Sequence, residues 1–180
     1  MNTNENMKIK CRDGEVFTIG GMEFIKFPGK DGQTPVVMKN IAFYSRFGDN
    51  NDLRSSTVLK RMQEEILPRI IEDIGEENIC TIKTDLTTLD GLKTYGAMES
   101  RISLPTMDFY RENVEIFDKH NPEAWWWLAK PESAMPHCDP KWILCVSPSG
   151  CISSSHCNNG GFGVRPFCIF DSSIFESCEE

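Results

Sequence analysis

The sequence predicts an α+β domain of small antiparallel sheets and two main helices, on three observations. Residues Glu15 to Phe27 read EVFTIGGMEFIKF, two short apolar runs around a Gly20-Gly21 turn; the segment from Leu53 to Gly75 carries one long aliphatic stripe; and the last third returns to short apolar runs punctuated by glycine, serine and proline.

The glycine pair between β-branched and aromatic residues is a hairpin signal. After Gly29-Lys30-Asp31-Gly32, the segment Thr34 to Tyr44 (TPVVMKNIAFY) supplies another strand and the start of a fourth. A polar loop at residues 48–52 then leads into LRSSTVLKRMQEEILPRIIEDIG, where Val58, Met62, Ile66, Ile70 and Ile74 recur at fours with Leu59, Leu67 and Ile71 beside them. That spacing is an amphipathic helix, capped by Ser55, Ser56 or Thr57 and packed on a sheet. Pro68 lacks a backbone donor, so the helix is expected to kink or divide there. Ile79 to Ile82 reads as a short strand, Asp90 to Glu99 as irregular, and Leu104 to Phe117 as a helix. The remaining strands are expected at Trp125 to Ala129, Trp142 to Ser147, Cys151 to Ser154 and Val164 to Phe170.

Composition bounds the function. At 180 residues and 39% hydrophobic content the chain suits one well-buried soluble domain, with residues 1–12 an irregular tail. Lys+Arg 19 against Asp+Glu 27 gives a net charge of −8, which repels nucleic-acid phosphate and anionic lipid, so neither nucleic acid nor membrane is expected as a partner. No apolar run is long enough to cross a bilayer, and MNTNENMKIKCRDGE has no apolar signal core. Sec-type export is therefore not expected; a virion protein released by lysis would lack such a signal too.

The eight cysteines do not read as a disulfide scaffold, because a chain of this size does not depend on staples. Mostly reduced thiols are expected. Cys138, Cys145, Cys151, Cys157 and Cys168, with His137 and His156, show no Cys-x-x-Cys pairing, so no metal is implied.

Four segments in order, GEVFTIGGMEF, NDLRSSTVLKRM, WWLAKPES and FGVRPFCIF, resemble the bacterial and phage domains of unknown function that carry a Trp-Trp-Leu-Arg-Ser-Pro stretch and a terminal Gly-Val-Arg-Pro. The resemblance covers almost the whole chain. It implies a C-type-lectin-like domain over residues 1–180, the fold shared by the variable proteins of diversity-generating retroelements and the relatives of the formylglycine-generating enzyme. One departure is visible: Ala129-Lys130-Pro131 stands where the family has Arg-Ser-Pro, and lysine lacks the planar two-pronged donor of arginine. Calcium is not implied, since Asn121-Pro122-Glu123 presents a carbohydrate-type motif only in reverse order.

Residues 148–162 read PSGCISSSHCNNGGF, with little to offer a core and much to offer an exposed surface. Nearly all of the residues from Cys151 to Phe162 are those that adenine-directed mutation of asparagine codons yields, which fits a diversified loop; an ordinary turn has the same composition. In a strand, Trp125 and Trp127 face one side and Trp126 the other, and two of the three are expected to be structural, with Trp126 a candidate for the exposed one. Arg165 is expected to fix a buried loop by donating to carbonyls or a carboxylate. The reading is non-catalytic recognition of a cell-surface glycan or protein, through Trp126, Trp142, Ser153, Ser155, His156, Asn158, Asn159 and Phe162, with no cofactor. A structural virion protein, or a homo-oligomer built through the same loop, is the second reading. A cysteine enzyme is the third: neither the formylglycine-type motif nor a spaced partner for His120, His137 or His156 can be matched.

Overall fold

The structure, a computed structural model, describes residues 8–177. In chain order the strands are β1 (Val16–Ile19), β2 (Met22–Lys26), β3 (Gln33–Met38), β4 (Phe43–Tyr44), β5 (Ile82–Asp85), β6 (Ala97–Ser100), β7 (Trp126–Pro131), β8 (Trp142–Val146), β9 (Ile152–His156), β10 (Gly163–Val164) and β11 (Phe167–Asp171). The helices are α1 (Thr57–Arg61), α2 (Leu67–Ile74), α3 (Met107–Glu112) and α4 (Val114–Lys119). This is a mixed α+β fold with mostly antiparallel pairing.

The expected hairpin is β1–β2, with Ile19 opposite Met22. Its turn requires glycine: φ is 59° at Gly20, and a Cβ there would lie 2.8 Å from the Arg69 carbonyl oxygen. The first sheet runs β1-β2-β3-β11, the second β4-β10-β7-β8-β9, and β5-β6 form a small pair. The expected strand from Val164 to Phe170 is two strands. Arg165-Pro166 carries the chain from β10 in the second sheet to β11 in the first.

The long helix divides as Pro68 requires. Ser56 is the cap, its Oγ accepting Leu59 N at 3.0 Å. One π-helical turn over Met62–Ile66 separates α1 from α2, and the Leu67 N–H reaches back to the Met62 carbonyl. The wider turn accommodates the missing donor and the ring of Pro68 without breaking the aliphatic stripe. The second expected helix also divides, at Asn113, whose Nδ2 donates to the Phe109 carbonyl at 2.9 Å. An asparagine side chain that bonds the local backbone competes with the helical ladder. The region read as irregular ends inside β6, whose pairing to β5 sets Met98 opposite Thr84. With one buried apolar residue in four, its pattern is too short to show in the sequence. Of the expected irregular tail, residues 1–7 lie outside the described residues. The rest is tied down: Ile9 donates to the Ile174 carbonyl at 2.7 Å and accepts from Glu176 N at 2.9 Å.

The inner strands of both sheets are apolar on both faces, which explains why they read as runs. On one side Phe24, Val36 and Cys168 of the first sheet and Trp127, Ile143 and Cys145 of the second pack with Val58, Met62 and Ile70 of the long helix. On the other, Ile25, Val37 and Phe167, with Trp126, Leu128 and Val146, meet Tyr110 and Phe117 of α3 and α4. Burial on both faces favours continuous apolar runs over alternation.

Candidate functional site

The hairpin β8–β9 projects the serine-rich segment to the edge of the second sheet. Its turn is held in place. Gly150 takes φ 88°, its carbonyl accepts Tyr110 Oη at 2.6 Å, and Asn121 Nδ2 donates to the Pro148 carbonyl at 2.8 Å. At the other end Asn51, fully buried, donates to the carbonyls of Ser133 at 2.7 Å and Trp142 at 2.8 Å, and accepts Tyr95 Oη at 2.6 Å. Both ends of the hairpin are thereby fixed to the body of the fold.

The register Trp142↔His156, Leu144↔Ser154, Val146↔Ile152 sorts the strand residues by face. Ile152, Ser154 and His156 share the face of Trp142, while Ser153 and Ser155 lie opposite Cys145 and Ile143 on the other. The expected ligand set is therefore split by the pleat. Trp142 is 41% exposed and His156 meets it edge-on, ring centroids 5.6 Å apart. His156 Nδ1 accepts Asn158 N at 3.1 Å, and Asn159 Nδ2 lies 3.4 Å from Ser155 Oγ. Asn158 and Asn159 are exposed in the turn that follows.

Two members of the expected set are corrected. Trp126 is fully buried: its Nε1 donates to Asn121 Oδ1 at 3.0 Å and its ring stacks near Phe117. Phe162 is 7% exposed and stacks on Trp127 with centroids 4.4 Å apart. Neither can meet a ligand. Two of the three tryptophans are structural, and the outward one is Trp125, at 40% exposure. The strand alternates as expected, but both of its faces have cores to fill.

The sequence reading missed a cleft beside Trp142. Between the pairs Trp127↔Cys145 and Pro131↔Ile143 three residues of β7 oppose the single Leu144 of β8, a bulge that swings the following loop over the sheet. A cleft of about 330 Å³ results, lined by Glu132, Ser133, Cys138, Asp139, Trp142 and Ser154. Among the described residues neither Glu132 nor Asp139 is ion-paired. The loop is latched by Asp90, whose Oδ2 accepts Ser133 Oγ at 2.6 Å and meets His137 Nδ1 at 3.0 Å, while Oδ1 accepts Thr88 Oγ1 at 2.5 Å. Hydrogen bonds from Ser133, Thr88 and His137 hold the Asp90 carboxyl well below the usual carboxylate range. Asp90, Glu132, Ser133 and Asp139 have no shared local spacing, so only the fold brings them together.

A wider opening of about 710 Å³ lies where the two ends of the described chain meet, lined by Arg12, Asp13, Lys26 and Lys30 among others. Lys26 and Asp13 pair across it at 2.6 Å, and it presents no exposed aromatic wall. Despite its smaller volume, the Trp142 cleft is the better candidate, because it combines an aromatic wall with uncompensated polar groups.

The remaining residues of interest have structural partners. Lys130 Nζ donates to the Thr87 carbonyl at 2.9 Å. Arg165 is fully buried and donates to the carbonyls of Met38 at 3.0 Å, Lys39 at 3.1 Å and His120 at 3.4 Å, with its guanidinium 4.7 Å from the Trp126 ring. Burial pushes the Cys145 thiol up to about 11, and raises those of Cys157 and Cys168 as well. Among the described residues no three His, Cys, Asp or Glu side chains converge as a metal site, and no helix is long and apolar enough to cross a membrane. No family model matches the sequence, and no curated protein or solved structure matches it.

Proposed function

We propose that this protein is a non-catalytic recognition module of C-type-lectin-like architecture, which holds a cell-surface glycan or protein ligand at the outer end of its second sheet. The observation that carries the reading is Trp142: a large aromatic ring left 41% exposed, forming one wall of a cleft whose other walls offer two carboxylates and two serine hydroxyls. An exposed tryptophan beside convergent polar groups is the usual composition of a binding hot spot. A phage or bacterial surface role follows from the sequence resemblance and belongs to the same proposal.

A diversified loop is compatible with part of this surface only. Ile152 to His156 and Asn158 to Gly161 are at least partly exposed, and a Cβ on Gly160 would meet nothing within 4 Å. Cys157 and Phe162 are core, so variation there would damage the fold. The raised thiols of Cys145, Cys157 and Cys168 weigh against these three as nucleophiles, since the nucleophile is the thiolate.

Binding of the labelled protein to intact bacterial cells and to a glycan array, with tryptophan emission followed during titration, tests the proposal. The expected result is saturable binding that shifts the emission and is lost in Trp142→Ala while its circular dichroism spectrum stays that of the folded protein. Binding indifferent to Trp142→Ala, or turnover abolished by one Cys→Ser change, would refute it.

A further inference from the structure

Strand β9 is the open edge of the second sheet. The bonded contacts Ser147 N to Cys151 O at 2.9 Å and Cys157 N to Lys141 O at 2.7 Å fix which of its residues face β8. Alternation then places Ser153 and Ser155 in bonded pairs and turns the backbone groups of Ile152, Ser154 and His156 outward. Of these groups, among the described residues, only the His156 carbonyl is taken, by Asn159 N at 3.0 Å. The other N–H and C=O groups form a row available to an added strand. Natural proteins guard such edges with lysine, proline, a bulge or a covering loop. Ile152–His156 contains no lysine or proline, and its pairing with β8 is continuous.

Resting on the recognition reading above, we infer that the ligand is an extended segment of another protein, added as a sixth strand beside β9, with a lysine or arginine directed into the Trp142 cleft. The side chains that flank the open backbone on one face are Ile152, Ser154 and His156, with Trp142 one strand behind. Strands lie about 4.8 Å apart, so a long cationic side chain on the added strand reaches across Ser154 to Glu132 and Asp139. Charge complementarity selects this occupant: both carboxylates lack an ion partner among the described residues, a tryptophan face attracts a cation, and the chain carries a net charge of −8. The same net charge disfavours a second copy of this chain as the added strand. Main-chain bonds supply affinity in such strand addition, and alternate side chains supply specificity.

The test is selection of a random heptapeptide phage library on the intact protein, followed by measurement of the enriched synthetic peptides on variants. Ser154→Pro removes an outward N–H without touching the β8 ladder, where an edge strand tolerates proline, so its fold is expected to survive and is checked by circular dichroism. The expected result is enrichment of peptides with a basic residue flanked by β-branched residues, bound about tenfold or more weakly by Ser154→Pro than by Ser154→Ala, which loses the hydroxyl but keeps the N–H, with the basic preference lost in Glu132→Gln/Asp139→Asn. Peptides that bind Ser154→Pro as well as Ser154→Ala overturn the inference. So does self-association of the free protein that Ser154→Pro abolishes, which would assign the edge to a second copy. Glycan-array binding that depends on Trp142 but is equal in Ser154→Pro and Ser154→Ala would leave the recognition reading standing and sink the strand. Absence of binding to either library would sink both.

Discussion

Replacing Arg165 with methionine tests how the two sheets are joined. The guanidinium sits where the chain crosses from β10 to β11 and reaches the end of β3 through Met38 and Lys39, the end of α4 through His120, and β7 through the ring of Trp126. Its bonds at 3.0 and 3.1 Å to carbonyls are charge-assisted and contribute roughly 2 kcal/mol each, while the 3.4 Å contact adds little. The desolvated contact with Trp126 contributes about 2 kcal/mol more. Against these stands the cost of burying the charge: desolvation draws the group down from 12.5 to about 10 and leaves Nη1 without a partner, equivalent to roughly 3 kcal/mol. Methionine relieves that cost but loses the bonds and the ring contact, so Arg165→Met is expected to lower stability by about 3 kcal/mol in urea unfolding followed by circular dichroism. Arg165→Lys separates the opposing effects. It retains the buried charge yet cannot hold two carbonyls at fixed spacing, so it should be no more stable than Arg165→Met. An Arg165→Met protein within about 1 kcal/mol of wild type, or a lysine variant clearly more stable than the methionine one, would refute the reasoning.

Three further outcomes follow from burial and bonding. Phe162→Ala is expected to cost about 3 kcal/mol in the same unfolding assay, because it opens a cavity under Trp127, whereas Trp142→Ala, at a ring 41% exposed, should cost less than Phe162→Ala. For the latch, Asp90 has a lowered carboxyl, so its stabilising contribution is present above the ordinary value of 3.8 and is lost as pH falls through the lower folded value. The difference in urea midpoint between wild type and Asp90→Asn should therefore shrink as pH falls from about 5 to about 2; a constant difference would show that the hydrogen bonds do not favour the ionised form. In thiol titration, the exposed Cys138 and Cys151 should react with an aromatic disulfide reagent in the native state, while Cys145 and Cys168 should react only on unfolding.

Much of the secondary structure was legible because it rests on local rules. Gly20-Gly21 marked a turn that only glycine fits, Ser56 stood where a cap was needed, and Pro68 announced the division that the π-helical turn accommodates. The role of Arg165 was legible from its setting: a guanidinium between Val164 and Pro166 in an apolar segment calls for carbonyl acceptors, which Met38 and Lys39 supply. The cleft was not legible. It depends on a bulge after Trp127, on Asn51 holding the Ser133 and Trp142 carbonyls from far along the chain, and on Asp90 latching the loop that contains Ser133 and His137. None of these leaves a periodic trace. Trp126 was misplaced for a related reason. Alternation says that it points away from Trp125 and Trp127, but only the second core, with Phe117 and Leu128, says that its side is also filled.

The pleat places a stricter condition on recognition than composition does. Seen as a string, Ile152-Ser153-Ser154-Ser155-His156 offers a run of contacts to one ligand; as a paired strand it offers Ser154 and His156 to the Trp142 side and Ser153 and Ser155 to the opposite side. Substitutions at Ser153 and Ser155 should therefore leave a ligand in the cleft largely unaffected, while Ser154 and His156 should matter as much as the cleft walls. What the two sets share is the backbone between them, whose outward groups lie along the sheet edge and do not depend on which side chains the strand carries. An open row of main-chain donors and acceptors beside the cleft is matched to an extended main chain, with the side chains of Ser154 and His156 left to select what that chain carries.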